Sequence, residues 1–185
     1  MIKKLEYVKV NADNIKIAQD IQKQEWPDSV DDFTFYDNLI NGNEKNINFL
    51  VYFKNEPIGI TGVYEENNDK SSLWLDWFCV IQKYRGMGFG KQILLDTIDY
   101  AKQFDDIEFF RIESNLSIER ESTNLYLKTM DFIEKYTAED TKTKTYGYYI
   151  CTKCLKSNSK YVPWNNRFLD LNKHYEKIKS EKNKC

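Results

Sequence analysis

Val80-Ile81-Gln82-Lys83-Tyr84-Arg85-Gly86-Met87-Gly88-Phe89-Gly90-Lys91 is the stretch on which the reading of this chain turns. A run rich in aromatic and β-branched residues, SLWLDWFCVI at 72–81, leads into it, and an amphipathic stripe through Leu94, Leu95, Ile98 and Ala101 follows. The stretch therefore joins a strand to a helix. Glycines at 86, 88 and 90 permit positive φ and close backbone approach, so successive N–H groups converge on an anion at the positive end of that helix. A pyrophosphate suits such a nest.

Spacing decides between three phosphate motifs. A Walker loop needs G-x-x-x-x-G-K-[ST], but Arg85 stands five residues before Gly90 and Gln92 follows Lys91. A dinucleotide fingerprint starting at Gly86 requires glycine at 91, where the chain has lysine, and it belongs after a first strand rather than a fourth. The third, [QR]-x-x-G-x-[GA] after a strand ending in valine, is met by Arg85, Gly88 and Gly90.

Working outward, residues 5–10 alternate like a first strand, and Asp13 is the expected N-cap of a helix carrying Ile17, Ala18 and Ile21 and ending before Pro27. A second short helix is predicted over 30–39, then a hairpin of strands 47–53 and 58–64 around the turn KNEP. Beyond the glycine helix come a strand at 108–114, a helix at 121–130 and strands at 132–137 and 145–155. The order β α α β β β α β α β β is a mixed α/β pattern. Past Leu155, residues 156–164 read as a connector, and Phe168, Leu171, Tyr175 and Ile178 recur as one helical stripe, predicting a helical tail.

Composition bounds the rest. The chain has 185 residues, 41% hydrophobic and 30% charged, with seven Gly and three Pro, which fits one folded domain. No apolar run reaches membrane-span length and MIKKLEYVKV lacks a signal's apolar region, so a cytoplasmic protein is expected. Residues 156–185 carry eight Lys/Arg against three Asp/Glu, and the preceding 155 residues carry 19 against 26. The acidic body disfavours nucleic acid and favours a cationic substrate; the basic tail reads first as a solvated helix, with a polyanion contact or a partner surface as alternatives, and its apolar stripe is expected to dock on the body or on a second copy, which would make a homodimer. Cys151 and Cys154 lie in a strand-like run and point to opposite faces, with no second Cys/His pair, so no metal site is expected.

The chain resembles the GNAT superfamily of N-acetyltransferases, whose signature V-x-x-x-x-R-G-x-G-x-G is matched by Val80, Arg85, Gly86, Gly88 and Gly90. A second family motif, L-Y-x-K-x-G-F, is met by Leu125, Tyr126, Lys128 and a phenylalanine at 132, with Asp131 in place of glycine. The resemblance implies a central mixed, mostly antiparallel sheet flanked by helices, with residues 1–155 as the acetyltransferase domain and 156–185 as a basic, helical extension. It also implies acetyl-CoA as cosubstrate, a ternary complex and a primary amine of a small molecule as acceptor. A peptide or protein acceptor is the enzyme alternative, and a CoA-binding module without catalysis is the alternative from another class.

The same likeness implies site residues. The pyrophosphate lies on Arg85, Gly86, Met87, Gly88, Phe89, Gly90 and Lys91; Phe78 and Val80 pair with the pantetheine; and an amide near Cys79 or Val80 polarises the thioester carbonyl. Asn115 is the candidate for the family's pantetheine-holding asparagine, since position 119 is Glu. An alkyl amine, with a pKa of about 10, must lose a proton before it attacks, which makes Asp76 and Glu113 candidate bases. Tyr126 is the candidate acid for the departing thiolate. Cys79 has no adjacent His and reads as a small buried hydrophobe rather than a nucleophile.

Overall fold

The computed structural model describes residues 4–27, 42–115, 121–139, 145–164 and 174–179. The helix predicted over 30–39 lies outside them. Contacts divide the chain into two units, Met1–Glu65 with Leu75–Ala101, and Glu66–Trp74 with Lys102–Cys185.

The first unit holds β1 (Glu6–Lys9), α1 (Ile15–Glu25), β2 (Ile47–Phe53), β3 (Glu56–Glu66), the second half of β4 (Asp69–Val80), a 3-10 turn (Gln82–Tyr84) and α2 (Phe89–Ala101). Strands β1, β2, β3 and β4 lie side by side in that order, β1 to β2 and β2 to β3 antiparallel. Lys54 and Asn55 turn the β2–β3 hairpin with φ of 52° and 64°, the left-handed geometry a two-residue hairpin demands. Successive strand side chains point to opposite faces, and the two helices divide them. Leu50 and Cys79 pack with Ile15, Ala18 and Ile21 of α1, whereas Val51 and Val80 pack with Phe89 and Ile93 of α2.

Helix α1 starts one residue later than the sequence predicts. Asn14, not Asp13, holds the cap position, because Asn11 bends the chain by accepting from the Asp13 N–H at 2.9 Å while Asn14 Nδ2 reaches the Lys9 carbonyl at 3.0 Å. The helix ends at Glu25, as Pro27 requires.

Gly59 of β3 lies against the end of β4. A Cβ there would stand 2.2 Å from the Cys79 carbonyl oxygen and 3.3 Å from Val80 Cα, and both are backbone atoms that no rotamer change moves. Gly59→Ala is expected to destabilise the protein by about 1–3 kcal/mol through overpacking. Urea unfolding read by tryptophan fluorescence checks this, and an unchanged midpoint would mean that β4 has slack.

The second unit holds the first half of β4, β5 (Phe109–Asn115), α3 (Glu121–Thr129), β6 (Phe132–Glu139), β7 (Thr145–Cys154) and β8 (His174–Lys179). The strand order is β4, β5, β7, β6, β8. Only β4–β5 is parallel, with a register running from Ser72↔Phe109 to Trp74↔Arg111; the other pairs are antiparallel.

At the centre of this unit Arg111, fully buried, pairs with buried Asp69 at 2.9 Å and donates to Ser72 Oγ, Thr152 Oγ1 and the Val162 carbonyl at 3.0, 2.9 and 2.8 Å. Buried Glu134 accepts from the Tyr136 and Tyr161 hydroxyls and from the Trp164 N–H, the last at 2.9 Å. These bonds satisfy charges whose burial would otherwise be costly.

Residues 156–164 form no helix or strand, and two of their aromatics are anchored: Trp164 is buried beside Trp74 and Tyr136, and Tyr161 stacks on Phe132 with ring centroids 3.9 Å apart. His174–Lys179, read as part of a helix, is a strand, with Tyr175 opposite Tyr136 and Ile178 opposite Ile133. Six residues make less than two helical turns, whereas pairing along β6 satisfies a row of backbone groups at once. The other residues of the predicted tail helix lie outside the described ones.

Candidate active site

The glycine segment leaves β4 through the 3-10 turn and enters α2. Gly86 and Gly88 have φ of 72° and 83°, the left-handed region that disfavours any side chain, and a Cβ at Gly86 would meet nothing within 4 Å. Met87 is 53% exposed, so the loop stands open to solvent. Gly90 and Lys91 lie in the first turn of α2, where backbone N–H groups have no carbonyl four residues back within the helix.

Three anchors brace this loop. Phe89 is buried with its ring 4.9 Å from that of Phe53 and 5.7 Å from that of Tyr84. Glu56 accepts from Lys83 Nζ at 2.7 Å and from the Tyr84 hydroxyl, and this lowers its carboxyl pKa, the lysine bond being the main cause. Arg85 donates from Nε to the Val80 carbonyl at 2.9 Å and pairs with Glu25 at the end of α1. The Arg85 guanidinium therefore fastens the loop to α1 and to the end of β4. Backbone N–H groups at a turn of this kind, ahead of a helix, are available to an anion.

The rest of the first unit's candidates lie on β4. Residues 75–80 extend beyond the β4–β5 register, which ends at Trp74. Phe78 is half-buried, and Cys79 and Val80 are buried. Burial pushes the Cys79 thiol up to about 12, far from the range of a thiolate nucleophile. Asp76 is half-buried and fixed at both oxygens: Oδ2 accepts from Asn48 Nδ2 at 2.9 Å and Oδ1 from the Trp77 N–H at 2.9 Å. Trp77 in turn packs edge-on against Trp26, 5.0 Å between centroids.

The second unit carries Glu113, Asn115 and Tyr126. Glu113 stands on β5 opposite Ile150; it is exposed at the surface, and the protein that crowds its carboxylate raises its pKa by desolvation. Asn115 is the last residue of β5. Tyr126 is buried, 6% exposed, in the middle of α3. Asp131, where the motif has glycine, accepts from Lys153 Nζ at 2.6 Å and from the Cys154 N–H at 3.1 Å, which docks the end of α3 onto β7. The carboxylate gives this chain a bond that glycine cannot make.

Asn48 and Glu25 escaped the sequence reading. The signal for Asn48 was present, since it is one polar residue in the otherwise apolar strand INFLVYF, and it is 3% exposed. Glu25 gave none: an acid in a final helical turn is ordinary until its burial is seen. Among the described residues no group of three His, Cys, Asp or Glu could hold a metal, and no helix is long and apolar enough to cross a membrane. Burial raises the Cys151 thiol to about 12.

Strand, braced glycine loop and helix, followed by a Leu-Tyr-x-Lys helix, are the marks of an acetyltransferase fold. The acetyltransferase (GNAT) family model matches residues 12–132, and the chain belongs to that family. No curated protein matches the sequence. Among solved structures, Arabidopsis thaliana NAA60 in complex with a bisubstrate analogue is similar at 12% identity and TM-score 0.64, over 82% of this chain and 98% of that one. An aminoglycoside N(6')-acetyltransferase from Legionella pneumophila is 18% identical with TM-score 0.60, over 84% and 94%. Mutant forms of the spermidine/spermine N-acetyltransferase SpeG from Vibrio cholerae are 14% identical with TM-score 0.62, over 82% and 95%. At these identities the likeness is one of fold.

Proposed function

We propose that this chain transfers the acetyl group of acetyl-CoA directly to a primary amine of a small molecule. The observation that carries the reading is the open loop of Gly86 and Gly88, at positive φ ahead of α2, with a Cβ's space vacant at Gly86. Main-chain amides of residues 86–91 hold the diphosphate there, Phe78 and Val80 offer backbone groups to the pantetheine, and Asn115 at the end of β5 is the proposed further residue for it. Acetyl-CoA supplies the acyl carbon as a thioester, and an amide at Cys79 or Val80 stabilises charge on its oxygen.

The two carboxylates take different parts. Asp76, held by a donor at each oxygen, is a fixed anion that binds the acceptor as its ammonium ion. Glu113, raised by desolvation, is the better proton acceptor and takes the proton that frees the amine. Nitrogen then bonds to the acyl carbon, the carbon–sulfur bond breaks, Tyr126 gives its proton to the sulfur, and the proton shed by the new amide nitrogen passes through water to the phenolate and restores it. The excess of acid in the first 155 residues, 26 against 19, suits a cationic acceptor.

Glu113→Gln separates chemistry from stability. Folding raises the Glu113 pKa, so the folded state binds that proton more tightly than the unfolded chain. This contribution to stability is present at low pH and is lost as pH rises through the raised value. The variant is therefore expected to melt higher than wild type at pH 7, by a margin that closes towards pH 3–4, while kcat falls about 10²-fold and loses its acidic limb. Thermal unfolding against pH, together with the kcat–pH profile, reads both. A lower melting temperature at pH 7 would contradict the desolvation.

CoA release measured with spermidine, kanamycin, free amino acids and a peptide bearing a free N-terminus tests the proposal. Turnover fastest on a small amine is expected. Preference for the peptide would move the acceptor to proteins, and acetyl-CoA binding with no turnover on any acceptor would leave a binding module.

A further inference from the structure

Asn48 and Asp76 sit on strands separated by β3, yet their side chains are hydrogen-bonded at 2.9 Å. Two strand spacings amount to about 9.5 Å, a span that the two short side chains and one hydrogen bond cover only when fully directed at each other. The middle strand must also leave the way open. In the β2–β3 register the residue opposite Asn48 is Gly62, and a Cβ there would stand 2.7 Å from Asn48 Nδ2 and 3.0 Å from Asn48 Cγ. The absent side chain at 62 is thus the passage through which the amide reaches Asp76. Asn48 is also 3% exposed, a depth at which an amide is retained only with partners.

We propose that Asn48 is a positioning residue for acetyl transfer, setting the Asp76 carboxylate for the acceptor's ammonium group through the gap left by Gly62. The inference rests on the reading of Asp76 as the anion that binds the amine. The Asn48 amide on Oδ2 and the Trp77 N–H on Oδ1 hold that carboxylate. Rotation about the Asp76 side chain would break both. Without Asn48, Oδ2 loses the donor that reaches it across Gly62, and the carboxylate spreads over more rotamers, of which few face the amine. The bond concerns the acceptor alone, so the diphosphate nest of residues 86–91 is untouched by its loss.

The test is a double-mutant cycle on the fastest acceptor of the panel above, with Asn48→Leu, Asp76→Asn and the pair, reading KM for the amine, KM for acetyl-CoA and kcat separately. Asn48→Leu keeps the volume and removes the donor; Asn48→Ala is run beside it in case the branched chain does not fit, and unchanged acetyl-CoA affinity by calorimetry identifies the folded variants. Asn48→Leu or Asn48→Ala is expected to raise the amine KM about tenfold or more, with the acetyl-CoA KM unchanged. In the Asp76→Asn background the same substitution adds nothing. If Asp76→Asn raises the amine KM and neither Asn48 variant does, or if the two effects add, the inference is overturned while the role of Asp76 stands. An Asp76→Asn enzyme with wild-type amine kinetics overturns that role and the inference together, as does absence of turnover on every acceptor.

Discussion

Gly86→Asp is expected to raise the Kd for acetyl-CoA about 100-fold while leaving the protein folded. Three features of the position combine in this expectation. At φ of 72° most side chains are strained, but Asp and Asn visit that region more readily than other residues. A Cβ there meets nothing within 4 Å, so no neighbour has to move. What changes is charge: a carboxylate stands among the amides proposed to receive a diphosphate. A hundredfold loss corresponds to about 2.7 kcal/mol, a size within reach of like charges at a partly shielded site. Gly86→Asn, of the same shape and without the charge, is the control and should bind within a few-fold of wild type. Calorimetry on both variants, with thermal unfolding to confirm the fold, measures the difference. Equal affinity in the two would mean that no anion lies against Gly86.

The second large effect is on turnover. Tyr126→Phe should lower kcat about 10²- to 10³-fold, the contribution of a positioned general acid, and leave the KM for acetyl-CoA unchanged. Tyr126 is 6% exposed in α3, and phenylalanine fills the same volume, so a loss of turnover would not come from collapse of the helix. A phenol suits the task because the reference pKa of tyrosine, about 10, lies near that of a thiol. A poorer leaving group should widen the deficit, since the acid matters more as the thiolate becomes more basic. Unchanged kcat would remove Tyr126 from the chemistry.

Much of the fold was legible because its segments repeat at one period each. INFLVYF is bounded in the structure as the sequence predicts, and the strands at 108–114 and 145–155 shift by no more than one residue at either end. The glycine loop was legible for a different reason: positive φ at Gly86 and Gly88 is a backbone demand that few residues meet. The tail misled because Tyr175 and Ile178 are three apart, a helical interval, while β6 presents an edge whose backbone pairing outweighs local periodicity. Nothing in KSNSKYVPW announces that Arg111, some fifty residues away, donates to the Val162 carbonyl.

In the candidate site, residue types were readable and their partners were not. Asp76 was visible as an acid near the end of a strand, but its fixation by Asn48 depends on a glycine in a third strand, a contact over 28 positions. Arg85 was visible as a motif cation, and the resemblance placed it on the pyrophosphate. Its hydrogen bond to the Val80 carbonyl and its pairing with Glu25 make it a brace for the loop. A sequence motif carries the residue type; that Glu25 lies within reach of the guanidinium depends on where α1 ends.

Amide hydrogen exchange over residues 86–91, with and without saturating acetyl-CoA, addresses the diphosphate nest directly. Exchange slowed about tenfold or more at these amides is expected in the presence of acetyl-CoA, with no such protection from acetate or adenosine alone. Amides that exchange at the same rate under saturating acetyl-CoA would contradict the nest.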